Sequence, residues 1–313
     1  MTGFDNRTLQ SMQRHQQMRQ VHEAGKQEAN MRIARERQEL ATRAISAHLH
    51  ERTAISKQST YESCVTNMLE LAHAGHDSQD ITSEDLQIAA SLVLEDPRVS
   101  YLERNIAAIY EAFPAYASAL ALNESDEYLS REEFRNNKRP LSQFNKVLKD
   151  FIDGDPRIQP DELQHYLQDC ALTYGYSGEE LALINRHIPL QLRGMMHELG
   201  FESLLYRLDG IDIEDVTTED DLNGIDSRII REDGTEILID VKASQTTAEK
   251  ARSKRERAHM REYGQPLPSN ILIVASGFLD SSFSQKYPWR PTEEAIARAL
   301  PRIQTIIEQV PKQ

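Results

Sequence analysis

The chain has 313 residues, 39% of them hydrophobic and 27% charged, with a formal net charge of -14. That length supports two domains, or one domain with a long extension, and a sizeable core. No run of about 18 apolar residues occurs, which excludes a helical membrane span and a membrane partner; Cys64 and Cys170 are the only cysteines, which excludes a disulfide framework or a multi-cysteine zinc site.

The opening residues, Met1 to Gln10, lack the apolar segment of a secretory leader, so the expected location is cytoplasmic. The acid excess is not uniform. Residues 61–225 carry 32 Asp and Glu against 12 Lys and Arg, whereas residues 1–60 carry 6 against 10 and residues 226–313 carry 12 against 14. A positive surface is therefore available to a polyanion in the C-terminal part, while the acidic middle repels phosphate.

From about Asn6 to His50 the composition, rich in Gln, Arg, Glu and Ala, predicts one long polar helix. Its apolar positions (Leu9, Met12, Met18, Val21, Met31, Ile33, Leu40 and Ile45) do not keep a strict heptad, which argues against a free coiled coil. Residues 1–58 are expected to form an extended helical arm that packs on the body, on a protein partner or on a second copy of the chain.

Residues 59–176 read as an all-α domain of five or six short helices with recurrent start signals at Thr82, Ser130, Gln159-Pro160 and Ser177, each followed by acids. Asp153, Asp155 and Glu162 imitate the exit of a calcium loop. Phe151 and Pro156 stand where such a loop needs Asp and Gly, so helix capping is the expectation there. His48 and His50 fall on different faces of a helix, and His73 and His76 flank an expected helix end at Gly75. His197-Glu198 lacks the second histidine of a zinc-protease helix.

Residues 177–313 are expected to form an α/β domain. A helix over Glu179–Leu199, with Pro189 as a kink or fresh start, is expected to end at Gly200, followed by a first strand over Phe201–Leu208. The next thirteen residues, Asp209–Asp221, hold seven acids and read as a solvated loop. One of Glu219, Asp220 and Asp221 is in sequence reach of a metal's outer shell at Asp226. A hairpin comes next, its first arm following Asn223-Gly224 and its turn at Glu232–Thr235. In the second arm, Glu236–Lys242, alternation puts Ile237, Ile239 and Val241 on one face and Leu238, Asp240 and Lys242 on the other. Asp240 and Lys242 are then about 7 Å apart on the same side. A carboxylate inside so apolar a strand asks for a partner, because a buried, unpaired charge costs several kcal/mol.

Gly224-Ile225-Asp226, followed after a hydrophobic run and a turn by Ile239-Asp240-Val241-Lys242, resembles the core signature of the PD-(D/E)xK nuclease superfamily. The resemblance covers about residues 177–313. It implies a restriction-endonuclease-like domain with an αβββαβ core and a mixed sheet, so that the whole chain is α+β with an all-α N-terminal region. It also implies that Asp226 and Asp240 bind Mg²⁺ or Mn²⁺ and that Lys242 positions the attacking water on a DNA or RNA phosphodiester. Many members add a Glu from the preceding helix. Gln191 occupies the matching place here, and Glu198 lies closer to the expected helix end, so both are weaker candidate ligands.

Downstream of Lys242 a basic helix carries Lys250, Arg252, Lys254, Arg255, Arg257 and Arg261, candidates for phosphate contacts if they do not simply form a solvated face paired with Glu256 and Glu262. Asn270–Ser276 reads as a strand buried on both faces, and Thr292–Gln309 as a closing amphipathic helix. The expected function is a metal-dependent nuclease. The alternative is a catalytically inactive interaction protein that keeps the fold and binds a partner through its helical region, a reading favoured by Gln191 and the acidic middle.

Overall fold

The computed structural model describes residues 31, 35, 38–45, 60–74, 81–124 and 131–312. The expected N-terminal arm lies outside the described residues except for 31, 35 and 38–45, which are helical; His48, His50, His76 and Ser130 also lie outside them. The chain is mainly helical with a small mixed sheet in its C-terminal part, an α+β architecture. It divides into two compact units, Met1–Ala107 and Ala108–Gln313.

In the first unit, helix α1 (Tyr61–Ala74) buries Tyr61, Cys64, Met68 and Leu71, a stripe at helical spacing. Helix α2 (Ser83–Glu95) buries Leu86, Ala89, Ala90 and Val93. Its start is the expected capping box: Thr82 accepts from the Asp85 backbone N–H, and the Asp85 carboxylate accepts from the Thr82 N–H at 2.9 Å. Helix α3 (Tyr101–Glu124) contains the boundary between the units.

The second unit continues with α4 (Arg131–Gly154), α5 (Pro160–Thr173) and α6 (Gly178–Leu205). Phe113 and Tyr116 of α3 join Phe144 of α4 in an aromatic cluster, with the Tyr116 and Phe144 rings stacked at 4.2 Å. Pro160 stands at the first turn of α5, where its missing N–H is harmless. Ser177 precedes α6 but makes no side-chain cap bond, unlike the expectation from its spacing.

Strands β1 (Ile211–Glu214), β2 (Ser227–Arg231), β3 (Glu236–Lys242) and β4 (Ile271–Ala275) form one sheet in that order. The first three run antiparallel, and β4 lies parallel to β3 after a crossover through α8 (Gln245–Tyr263). A short helix α7 (Thr218–Leu222) sits between β1 and β2, and α9 (Glu293–Glu308) closes the chain, capped by Thr292 as expected.

Three expectations are corrected. Phe201–Leu208 is not the first strand: α6 runs on to Leu205, because Phe201, Leu204 and Leu205 keep a helical period and enter the core with Ile229, Ile237, Ile239 and Ile303. Gly200 does not end the helix. It lies inside it, where a Cβ would meet Phe283 Cε1 at 2.9 Å, so the missing side chain serves close packing. Asp209–Asp221 is correspondingly not one loop but contains β1 and α7.

The two faces of the sheet differ, one mainly apolar and the other mixed. Ile237, Ile239 and Val241 pack with α6 and α9, whereas Ile273 and Ala275 of β4 face α8 through Ala248. Among the described residues no helix is long and apolar enough to cross a membrane.

Candidate functional site

The polar face of β3 and the start of β2 bring three of the expected residues together. Thr217 and Asp220 form a capping box on α7, and Gly224, at φ +71°, turns the chain out of that helix. Ile225 then enters the core and Asp226 begins to pair with β3, its N–H donating to the Ile239 carbonyl at 2.7 Å. Since Ser227 faces Ile239 in the ladder, Asp226 comes opposite Asp240, and side chains opposite one another share a face.

Asp226 Oδ2 accepts from the Val241 N–H at 2.6 Å and lies 4.0 Å from Lys242 Nζ. Lys242 forms a close ion pair with Asp240 Oδ1 and donates to the Val241 carbonyl at 3.1 Å. Arg255 reaches in from α8 to Asp240 Oδ2 at 3.4 Å. Asp240 is therefore buried, 6% exposed, with a cation on each carboxylate oxygen.

Burial pushes the Asp226 carboxyl well above the ordinary carboxylate range, and the nearby charge of Glu198 pushes the same way; Lys242 and the Val241 N–H oppose them. For Lys242, burial works against the charged form, but the charges of Asp226 and Asp240 outweigh it, and its pKa stands above the ordinary lysine value.

The two weaker candidates separate. Gln191 is engaged by other partners: its carbonyl accepts from Tyr116 Oη at 2.6 Å and its amide donates to Asn145 Oδ1 at 2.6 Å. Glu198, two turns further along α6, is the acid whose charge Asp226 feels. It is not near a helix end, since α6 extends to Leu205. Its carboxylate pairs with Lys149 of α4 at 3.0 Å. The neighbouring His197 points into the interior, with Nδ1 2.8 Å from Ser276 Oγ, and ties α6 to the end of β4.

The three acids before Asp226 have other partners. Glu219 pairs with Arg135, Asp220 caps α7 and lies 3.5 Å from Arg228, and Asp221 accepts from Ser142. Asp155 accepts from the Arg157 N–H at 3.3 Å and Glu162 from Tyr166 Oη at 2.5 Å. Among the described residues, no group of three or more His, Cys, Asp or Glu side chains is already gathered closely enough to hold a metal ion.

The basic helix α8 buries only Ala248. Arg255 belongs to the site through Asp240, and Arg252 is anchored to the Ile273 carbonyl at 2.8 Å. Lys250, Lys254, Arg257 and Arg261 are exposed. Arg257 and Arg261 donate to carbonyls of their own helix, Ser253 and Arg257 respectively. Sequence reasoning missed Lys138 and Lys149 of α4: Lys138 feels the charges of Lys254 and Arg255 on α8, and Lys149 pairs with Glu198 of α6. Burial first, and then the charges of Lys254 and Arg255, lower the Lys138 pKa, while Asp240 and Asp221 act the other way. Their signal was the spacing of Arg135, Lys138, Ser142, Asn145 and Lys149, which at steps of three and four residues share one face of α4.

No protein family, curated protein or solved structure matches the chain.

Proposed function

We propose that the chain is a metal-dependent nuclease whose C-terminal part adopts a restriction-endonuclease-like fold and hydrolyses phosphodiester bonds of DNA or RNA. The observation that carries this reading is the convergence of Asp226, Asp240 and Lys242 on one face of β2 and β3, with Lys242 Nζ 4.0 Å from Asp226 and paired to Asp240. The element order from α6 through β1, β2, β3 and α8 to β4 supports it, because it repeats the order expected for that fold.

The donor chemistry suits Mg²⁺ or Mn²⁺. Asp226 and Asp240 supply hard carboxylate oxygens, and burial, which raises the Asp226 pKa, is opposed by nearby positive charge. Those two residues would hold the ion, with Glu198 rather than Gln191 as the neighbouring acid. The ion, when bound, supplies Lewis acidity and an acidified water. Lys242, kept protonated by its two acidic neighbours, is placed to donate hydrogen bonds to a phosphate oxygen or to the attacking water. The exposed cations of α8 hold the nucleic-acid backbone.

One observation favours an inactive partner-binding protein instead: the carboxylates are already paired with Lys242, Arg255 and Lys149. Cleavage of labelled DNA and RNA with Mg²⁺ or Mn²⁺ separates the readings. The nuclease cuts at least one substrate, and Lys242→Ala lowers the rate by about 100-fold or more. If the wild-type chain leaves both intact, or Lys242→Ala cuts as well as wild type, the nuclease reading fails.

A further inference from the structure

Helix α4 meets the site along a line of five polar side chains. Arg135 pairs with Glu219, Ser142 donates to Asp221, Asn145 accepts from Gln191 at 2.6 Å and Lys149 pairs with Glu198 at 3.0 Å. Lys138 lies within the field of Asp240 and Asp221. The other side of the helix is locked in the core by Phe144, Leu148, Phe151 and Ile152. An isolated surface ion pair has no fixed place and contributes little. Lys149 differs, because its neighbours on both sides fix the backbone that carries it and its side chain is only 33% exposed.

We propose that Lys149 is an internal cation that competes with a divalent ion for the carboxylates of Glu198 and Asp226, so that the ion binds only as the ammonium withdraws from Glu198. The inference rests on the nuclease reading above. Glu198 is the α6 carboxylate whose charge acts on Asp226, and its partner in the structure is Lys149, which also feels the charge of Asp226. A divalent ion bound by Glu198 would stand within a few ångström of that ammonium, which lies 3.0 Å from the same carboxylate, and repulsion there is large even at the effective dielectric of a protein surface. Lysine has the means to yield: a flexible four-carbon stem and a strongly hydrated ammonium, on a side chain that is already one third exposed. Lys242 does not, being held by Asp240, Asp226 and the Val241 carbonyl together. Withdrawal of Lys149 would leave Glu198 as a third carboxylate for the ion, beside Asp226 and Asp240.

Calorimetric titration of the full chain with Mn²⁺ alone tests this. Lys149→Met is expected to bind Mn²⁺ roughly tenfold more tightly than wild type, Lys149→Arg to bind like wild type, and Asp240→Asn to lose binding. Lys149→Gln provides the same charge removal should the methionine variant fold poorly, which thermal unfolding reports. Binding that is lost in Asp240→Asn but unchanged or weakened in both neutral Lys149 variants overturns this inference and leaves the nuclease reading standing. Absence of Mn²⁺ binding in wild type and in every Lys149 variant overturns both.

Discussion

The two faces of strand β3 divide the work of the second unit between them. Ile237, Ile239 and Val241 enter a core shared with Phe201, Leu204 and Ile303 and are at most 4% exposed. Asp240 and Lys242, one residue out of step, face Asp226, Arg255 and, beyond them, the lysines of α4. The apolar face gains from leaving water, at roughly 25 cal/mol per Å². The polar face loses solvation and recovers only part of it through ion pairs. A period of two lets one strand carry both, so the stabilising face holds in place a constellation that would not assemble for its own sake.

If that division is real, the faces respond differently to substitution. The largest effect belongs to the core. Ile239→Ala should lower unfolding free energy by about 2–5 kcal/mol in urea denaturation. A smaller loss, about 1–3 kcal/mol, is expected for Gly200→Ala, because the added methyl meets Phe283 at 2.9 Å and one of the two must move. On the polar face the sign reverses. Asp226→Asn should stabilise the fold at neutral pH by about 1 kcal/mol, as removal of a strained functional charge commonly does.

The same substitution should change the pH dependence of stability. Because the folded-state pKa of Asp226 is raised, the native protein keeps a proton that the unfolded chain has released, over the interval from the ordinary carboxylate value up to the raised one. Stability contributed by that proton is complete below the interval and is lost as pH rises through it. Denaturation midpoints measured from about pH 4 upward should fall less steeply for Asp226→Asn than for wild type. A steeper or equal fall would mean that the carboxyl is not the strained group.

The legibility of these features follows the range of the forces behind them. Strand β3 and the cap of α9 could be read residue by residue, since alternation and a Thr three residues before the backbone N–H that donates to it are local. The stretch Phe201–Leu205 could not, because a short apolar run fits a strand or a helix, and the helix won through contacts with strands and with α9. Gly200 looked like a terminator until Phe283, far downstream, supplied the reason for it. Glu198 was undervalued for the same cause, the misplaced helix end. For Lys138 and Lys149 the sequence showed only a polar stripe at helical spacing, because the acids that act on them, Asp240 and Glu198, come from other elements and only the tertiary fold brings α4 to them.

The most direct test of the central claim is anomalous scattering from crystals of the full chain soaked in Mn²⁺. The account predicts one ion bonded to carboxylate oxygens of both Asp226 and Asp240. Soaked crystals in which Asp226 still accepts only from the Val241 N–H, with no anomalous peak between it and Asp240, would contradict it.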